Sequence, residues 1–299
     1  MERVLVTGGT VFVSRFIAQY FKDKGYEVYV LNRNTRKQIE GVHLICANRN
    51  DLNNQLKSYN FDKIIDVCAY NQKDIKNLLD ALNEVKDYIF ISSSAVYPET
   101  NIQPFHEEQE IGENSIWGKY GIDKVQAEQY LQSHCPQAYI LRPPYLYGPM
   151  QNLYREPFVF DCALNKRPFY IPKDGKMKFQ FFHVEDLCKV IEAIWETHPQ
   201  EHIFNVGNEE PIDINTFVEI CYRVVNQPLK TIHVYNHENQ RDYFSFHEYE
   251  YILDITKQKM LLPKTKDLEK GFKESFQWYI QHENDVKKKD YIQYIDKHF

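Results

Sequence analysis

The sequence predicts an α/β chain, with a parallel sheet covered by helices on both faces and then a smaller mixed α/β lobe. Three observations predict it. Strand-like and helix-like segments alternate through the first half, their connections are short, and the rhythm changes after Pro149. Val4 to Thr7 is a short apolar run ending in Gly-Gly. Phe12, Phe16, Ile17, Tyr20 and Phe21 then recur at helical spacing, and Gly25 ends that helix. Glu27 to Leu31, His43 to Cys46, Lys63 to Val67 and Tyr88 to Ser92 read as further strands, with a helix from Ile75 to Val85 between the last two. Tyr120 to His134 is a long helix, and Ala138 to Leu141 the strand after it.

Beyond Pro149, Glu156 to Leu164 looks helical and Phe169 to Pro172 extended. Val184 to Thr197 is an amphipathic helix, Ile203 to Val206 a strand and Ile214 to Val225 a helix, and helices dominate from Asp267 onward. The expected division is a nucleotide-binding domain at 1–150 with a return segment at 183–208. A substrate lobe would then comprise 151–182 and 209–299.

The 299 residues are enough for a sizeable core, and 43% hydrophobic with 26% charged residues is ordinary for a globular chain. Aromatics at 15% are expected mainly in the core. A net charge of −6 without a basic stripe disfavours a nucleic-acid partner, and Lys287-Lys-Lys289 reads as a solvated helix face. The six cysteines show no metal-ligand spacing, so no metal is expected and reduced thiols fit best. No 18-residue apolar run and no signal-like N-terminus occur, and a cytoplasmic protein is expected.

The strand–glycine turn–helix at Thr7-Gly8-Gly9-Thr10-Val11-Phe12-Val13-Ser14 places a helix N-terminus where a pyrophosphate can sit. At the end of the second strand, Asn32 occupies the position where an acid binds the adenosine ribose of NAD. Arg33 and Arg36 follow and could pair with the 2′-phosphate of NADP. The cofactor is thus NAD or NADP, with a lean to NADP. Tyr120 and Lys124 stand one helical turn apart, so a lysine cation on the same face would favour the phenolate of a side chain whose ordinary pKa is about 10. Upstream, Ile89-Phe-Ile-Ser-Ser-Ser-Ala-Val-Tyr97 is a strand ending in hydroxyls.

These segments resemble the extended and atypical short-chain dehydrogenases/reductases, the NAD-dependent epimerase/dehydratase family with a Rossmann-type doubly wound sheet. The turn is similar to the family's TGxxGxxG and to its TGGTRFIG variant, with Val11 and Ser14 at two glycine positions and Val11 in place of the variant's arginine. Asn48 stands where the family places an acid beside the adenine. Leu141-Arg-Pro-Pro-Tyr-Leu-Tyr-Gly-Pro149, Phe182-His-Val-Glu-Asp-Leu187 and Phe204-Asn-Val-Gly-Asn208 resemble its later segments in order, over roughly residues 1 to 265.

The resemblance implies Ser93 as the catalytic hydroxyl, with Ser94 as the fallback. It implies Tyr120 as the acid/base, and Lys124 as the residue that holds the nicotinamide ribose. His183 and Asp186 are expected to pack and cap a helix. The implied partner is a nucleotide sugar whose diphosphate needs cations. Arg241 is the choice among Arg155, Arg167, Arg223 and Arg241.

Dehydratases of the family carry an Asp-Glu pair where this chain has Ser94-Ala95. Epimerase therefore ranks first, keto-sugar or carbonyl reductase second, dehydratase third. A homodimer through the helix of Tyr120 is implied as well. The atypical turn also resembles subgroups that bind RNA or sense nicotinamide state without chemistry.

Overall fold

The computed structural model describes residues 1–237 and 239–299. Its centre is a seven-stranded parallel sheet formed by β1 (Arg3–Thr7), β2 (Glu27–Asn32), β3 (His43–Cys46), β4 (Lys63–Asp66), β5 (Asp87–Ile91), β6 (Tyr139–Arg142) and β7 (Ile203–Asn205). The spatial order is β7-β6-β5-β4-β1-β2-β3. The order reverses beside β1, and in such sheets ligands bind at the carboxyl ends of the strands near that reversal. The inner strands β1, β4, β5 and β6 are buried on both faces, which explains why they read as apolar runs rather than alternations.

Helix α1 (Phe12–Asp23) packs on one face together with α5 (Val184–Thr197), around Ile17, Phe21, Val30, Ile191 and Trp195. The other face is covered by α2 (Gln72–Ala81) and α3 (Lys119–His134), around Leu5, Ile75, Leu78, Phe90 and Leu131. α2 ends at Ala81, short of Val85, because Leu82 turns extended and joins that second core.

A third core lies beyond the carboxyl ends of the strands. It joins α4 (Glu156–Leu164), α6 (Ile214–Val224) and α8 (Leu268–Tyr279) around Phe158, Phe179, Phe181, Phe217, Phe246 and Phe272. Much of the aromatic excess is spent here on edge-to-face and tilted packing, such as Phe179 against Phe246 at 4.5 Å. Short strand pairs brace this lobe, including Tyr145–Tyr147 beside Phe181–His183. The helices α7 (Thr256–Leu261) and α9 (Tyr291–His298) complete the chain.

The lysine run is not a helix face. Lys287-Lys288-Lys289 is extended between α8 and α9, and the Lys287 N–H donates to the Asn152 carbonyl at 2.9 Å. That bond pins the run across the lobe. No helix among the described residues is long and apolar enough to cross a membrane.

Candidate functional site

Three hollows follow one another along the carboxyl ends of the strands, sharing residues where they meet. The first, of about 440 Å³, is lined by Thr7, Gly8, Thr10, Val11, Asn32, Arg33, Arg36, Asn48 and Arg49 among others. The second, of about 360 Å³, shares Val11, Cys68 and Tyr70 with it and adds Phe12, Val13, Ser93, Tyr120 and Lys124. The third, of about 550 Å³, shares Ser93, Tyr120, Pro144, Leu153 and Arg155 with the second and runs outward to Arg241 and Lys287–Lys289.

The glycine turn shapes the first hollow. Gly8 has φ +92°, and a Cβ there would lie 2.6 Å from Cys68 Sγ and 2.8 Å from Ser14 Oγ. Gly9 does not line the hollow. It faces β2, where a Cβ would meet Val30 at 2.4 Å, so its role is close packing of turn on strand. No side chain caps the twelve-residue α1, which leaves its first N–H groups for a ligand. Phe12 opens that helix with φ 33°, a strained value for a residue with a side chain. Thr7 is 1% exposed and its hydroxyl is spent on the sheet, donating to Asp66 at 2.8 Å and accepting from the N–H groups of Val67 and Cys68.

Asn32 also works inward. Its amide donates to the Gly8 carbonyl at 2.7 Å and to Gln38 at 3.0 Å, so it ties the glycine turn to the end of β2. Asn48 caps a short 3₁₀ turn, Arg49–Asp51, by accepting the Asn50 N–H. Arg33 and Arg36 are exposed on the rim of the first hollow.

Beneath this rim lies a network the sequence did not announce. Arg49 makes a two-pronged contact with Asp66, whose side chain is 0% exposed and also accepts from Tyr88 at 2.6 Å. Arg49 further donates to the Asp74 carbonyl at 2.8 Å. The guanidinium holds the Asp66 carboxyl below its usual range against the opposing effect of burial. The pair fixes the end of β4 against α2.

α3 presents Tyr120 and Lys124 to the second hollow, and two features seat it there. Gly121 lies against the turn after β5, where a Cβ would be 2.6 Å from the Ala95 carbonyl oxygen. Glu128, one turn beyond Lys124, pairs with Arg142 on β6 at 2.6 Å, with both side chains buried. Arg142 also donates to the Tyr97 hydroxyl at 2.7 Å. Neither Gly121 nor this pair was singled out from the sequence, because both depend on which distant backbone the helix meets.

Lys124 is 2% exposed. Its ammonium donates to the carbonyls of Ala69 at 2.8 Å and Ile91 at 2.9 Å, and burial brings it down to about 8, with Asp66 and Glu128 opposing. Tyr120 differs from the expectation of a phenol lowered by Lys124. Loss of water around the phenol in the hollow raises it above its ordinary value, although the residue as a whole is 39% exposed, and the Ser93 hydroxyl is the group that pulls it back. The lysine charge is held by the two carbonyls. Ser93 itself accepts the Ala95 N–H at 3.2 Å and reaches both the second and third hollows. Ser94 does not line the hollows. It is 5% exposed and turned toward Tyr251, so the fallback position faces the lobe core.

Among the four arginines considered for a diphosphate, Arg155 and Arg241 line the third hollow. Arg167 pairs with Asp296, and Arg223 with Glu269 at 3.0 Å, both away from it. Lys287, Lys288 and Lys289 join the lining instead.

His183 caps α5 by accepting the Glu185 N–H, and Asp186 accepts the Lys266 N–H at 2.6 Å. His183, Glu185 and Glu274 bring metal-ligand atom types within 4.8 Å of one another. The Lys266 ammonium already bridges the two carboxylates, and burial brings the His183 imidazole down to about 3, which keeps it neutral.

A parallel sheet with an uncapped glycine turn at its reversal, a hydroxyl beyond the end of β5, and a phenol and lysine on α3 facing the same hollow define a Rossmann-type α/β fold with a second lobe. The model of the NAD dependent epimerase/dehydratase family matches residues 4–207, and the chain belongs to that family. It is 25% identical to the chloroplast stem-loop binding protein of 41 kDa b from Arabidopsis thaliana, over 92% of this chain and 78% of that protein. It is 24% identical to a UDP-N-acetyl-alpha-D-glucosaminuronate decarboxylase of Bacillus cytotoxicus, over 95% of this chain and 99% of that one. The fold matches the crystal structure of a dTDP-glucose 4,6-dehydratase from Bacillus anthracis in complex with NAD. The TM-score is 0.77, with 19% identity over 95% of this chain and 98% of the other.

Proposed function

We propose that the chain is an NAD(P)-dependent epimerase acting on a nucleotide sugar by transient oxidation at a sugar carbon. The observation that carries this reading is the junction. Ser93 and Tyr120 line both the hollow beside the glycine turn and the outer cavity, so one hydroxyl–phenol pair faces two ligands at once.

The residues present fit a dinucleotide. The free N-terminus of α1 would receive the pyrophosphate, and the groove from Thr10 to Asn48 would receive the adenosine. Arg33 and Arg36 on the rim favour a 2′-phosphate, so NADP is the preferred form. When bound, the nicotinamide accepts and returns a hydride. Tyr120 takes the proton of the substrate hydroxyl and returns it, Ser93 holds that oxygen, and Lys124 would hold the nicotinamide ribose. No Asp-Glu pair follows Ser93, and the absence of an acid and a base there favours epimerisation over elimination. Reduction of a keto-sugar uses the same residues and is the alternative within the enzyme class.

The test is thermal melting of the purified chain with NAD, NADH, NADP and NADPH separately, then with added nucleotide sugars. A ligand at a hundred times its dissociation constant stabilises by about 2.7 kcal/mol. A shift with one dinucleotide, raised further by one sugar nucleotide, supports the enzyme. The stem-loop-binding relative motivates a parallel arm with stem-loop RNA. A shift with RNA, and none with any dinucleotide in protein free of bound cofactor, overturns the enzyme reading.

A further inference from the structure

The outer cavity carries cations at both of its ends. At the outer end stand Arg241, Lys287 and Lys289, with Lys288 beside them already paired to Asp161 at 3.0 Å. At the inner end Arg155 shares the junction with Ser93 and Tyr120. Among the described residues no Asp or Glu lines the cavity. A diphosphate ester carries one negative charge per phosphorus, and the outer cations match it without Arg155.

Arg155 is poorly satisfied by the protein. Its Nη2 reaches the Leu146 carbonyl at a long 3.4 Å, and its Nε is buried without a partner. Its guanidinium lies 5.2 Å from the centre of the Tyr145 ring, which fixes its plane against the cavity wall. Glu156, a carboxyl that feels its charge, is 1% exposed, has no side-chain partner for its carboxylate oxygens, and is raised by burial against the opposing pull of Arg155. A planar donor fork held next to the reacting position, with no counter-ion on the cavity side, suits a carboxylate.

We infer that Arg155 recognises a carboxylate on the sugar ring, so that the substrate is a nucleotide-linked acidic sugar rather than a neutral one. This rests on the nucleotide-sugar reading above and narrows it. Lys287, Lys289 and Arg241 then take the diphosphate, and Arg155 orients the ring toward Ser93 and Tyr120.

The experiment is calorimetric titration of the full chain, loaded with its preferred dinucleotide, with matched pairs: UDP-glucose against UDP-glucuronate, and GDP-mannose against GDP-mannuronate. The wild type, Arg155→Gln and Arg155→Lys are compared. The acidic member of at least one pair is expected to bind about tenfold or more tightly, or roughly 1.4 kcal/mol. Arg155→Gln should erase that preference while dinucleotide binding is kept, and Arg155→Lys should keep part of it. A neutral sugar that binds equally well refutes the carboxylate and leaves the proposed chemistry standing. So does a preference that survives in Arg155→Gln. The wild-type comparison decides by itself if that variant does not fold. Binding of the dinucleotide with none of the four sugars overturns both this inference and the substrate class on which it rests.

Discussion

Replacing Lys124 by methionine removes a charge that the fold holds at a cost, and the structure gives the size of that cost. The ammonium is 2% exposed and brought from its ordinary 10.5 down to about 8. Between those values the unfolded chain binds the proton and the folded chain has largely released it. Stability therefore rises with pH through this window, and the penalty is fully present below about 8. The full shift corresponds to about 3 kcal/mol, of which about 2 kcal/mol is regained between roughly pH 7.5 and pH 10. Other groups titrate over the same range, but they are common to both proteins.

Urea unfolding of the wild type and Lys124→Met at both pH values, without added dinucleotide, isolates the difference. The wild type should gain about 2 kcal/mol relative to the variant on going to the higher pH. Parallel pH dependences would show that Lys124 is not a strained buried cation and would refute the reasoning.

Further outcomes follow from the same geometry. Gly121→Val places side-chain carbons where the Ala95 carbonyl stands, so turnover should fall at least about tenfold while dinucleotide melting shifts persist. Unchanged kcat in that variant would show that α3 need not lie against the Ser93 turn. Glu128→Gln leaves Arg142 buried without its counter-charge and should cost about 3–5 kcal/mol in denaturant unfolding. A loss below about 1 kcal/mol would place the pair's contribution at that of a surface ion pair. Replacing Arg33 and Arg36 together by serine should weaken NADP at least tenfold more than NAD in calorimetry, about 1.4 kcal/mol of discrimination. Equal losses for both cofactors would remove the basis for the 2′-phosphate preference.

Much of the fold was legible because its signals are local. Runs such as Val4–Val6 and Ile89–Ile91 are buried on both faces, and the helices between them keep a helical period, so alternation alone gives the parallel sheet. The glycine turn and the Tyr120–Lys124 spacing were visible for the same reason, and the structure brings Ser93, Tyr120 and Lys124 to one hollow.

What stayed hidden depends on partners far along the chain. A run of three lysines carries no periodicity to say which way it faces. Its position in the outer cavity comes from the Lys287–Asn152 backbone bond. Asn32 sits where a ribose ligand was expected, and its amide is drawn inward by the Gly8 carbonyl, whose position only the folded turn reveals. Ser93 and Ser94 look alike in sequence, and the 3₁₀ turn that begins between them sends one hydroxyl to the cleft and the other to the core.

The most direct test of the central claim is a single-turnover measurement of nicotinamide absorbance, with the preferred dinucleotide and a nucleotide sugar that melting has shown to bind. In the wild type, mixing should produce a transient or lasting change in the reduced-nicotinamide signal. Tyr120→Phe should bind both ligands and lose at least about a hundredfold in that rate, as expected for removal of a positioned proton donor and acceptor. An undiminished rate in Tyr120→Phe, or no redox signal and no altered sugar in the wild type with both ligands bound, would contradict it.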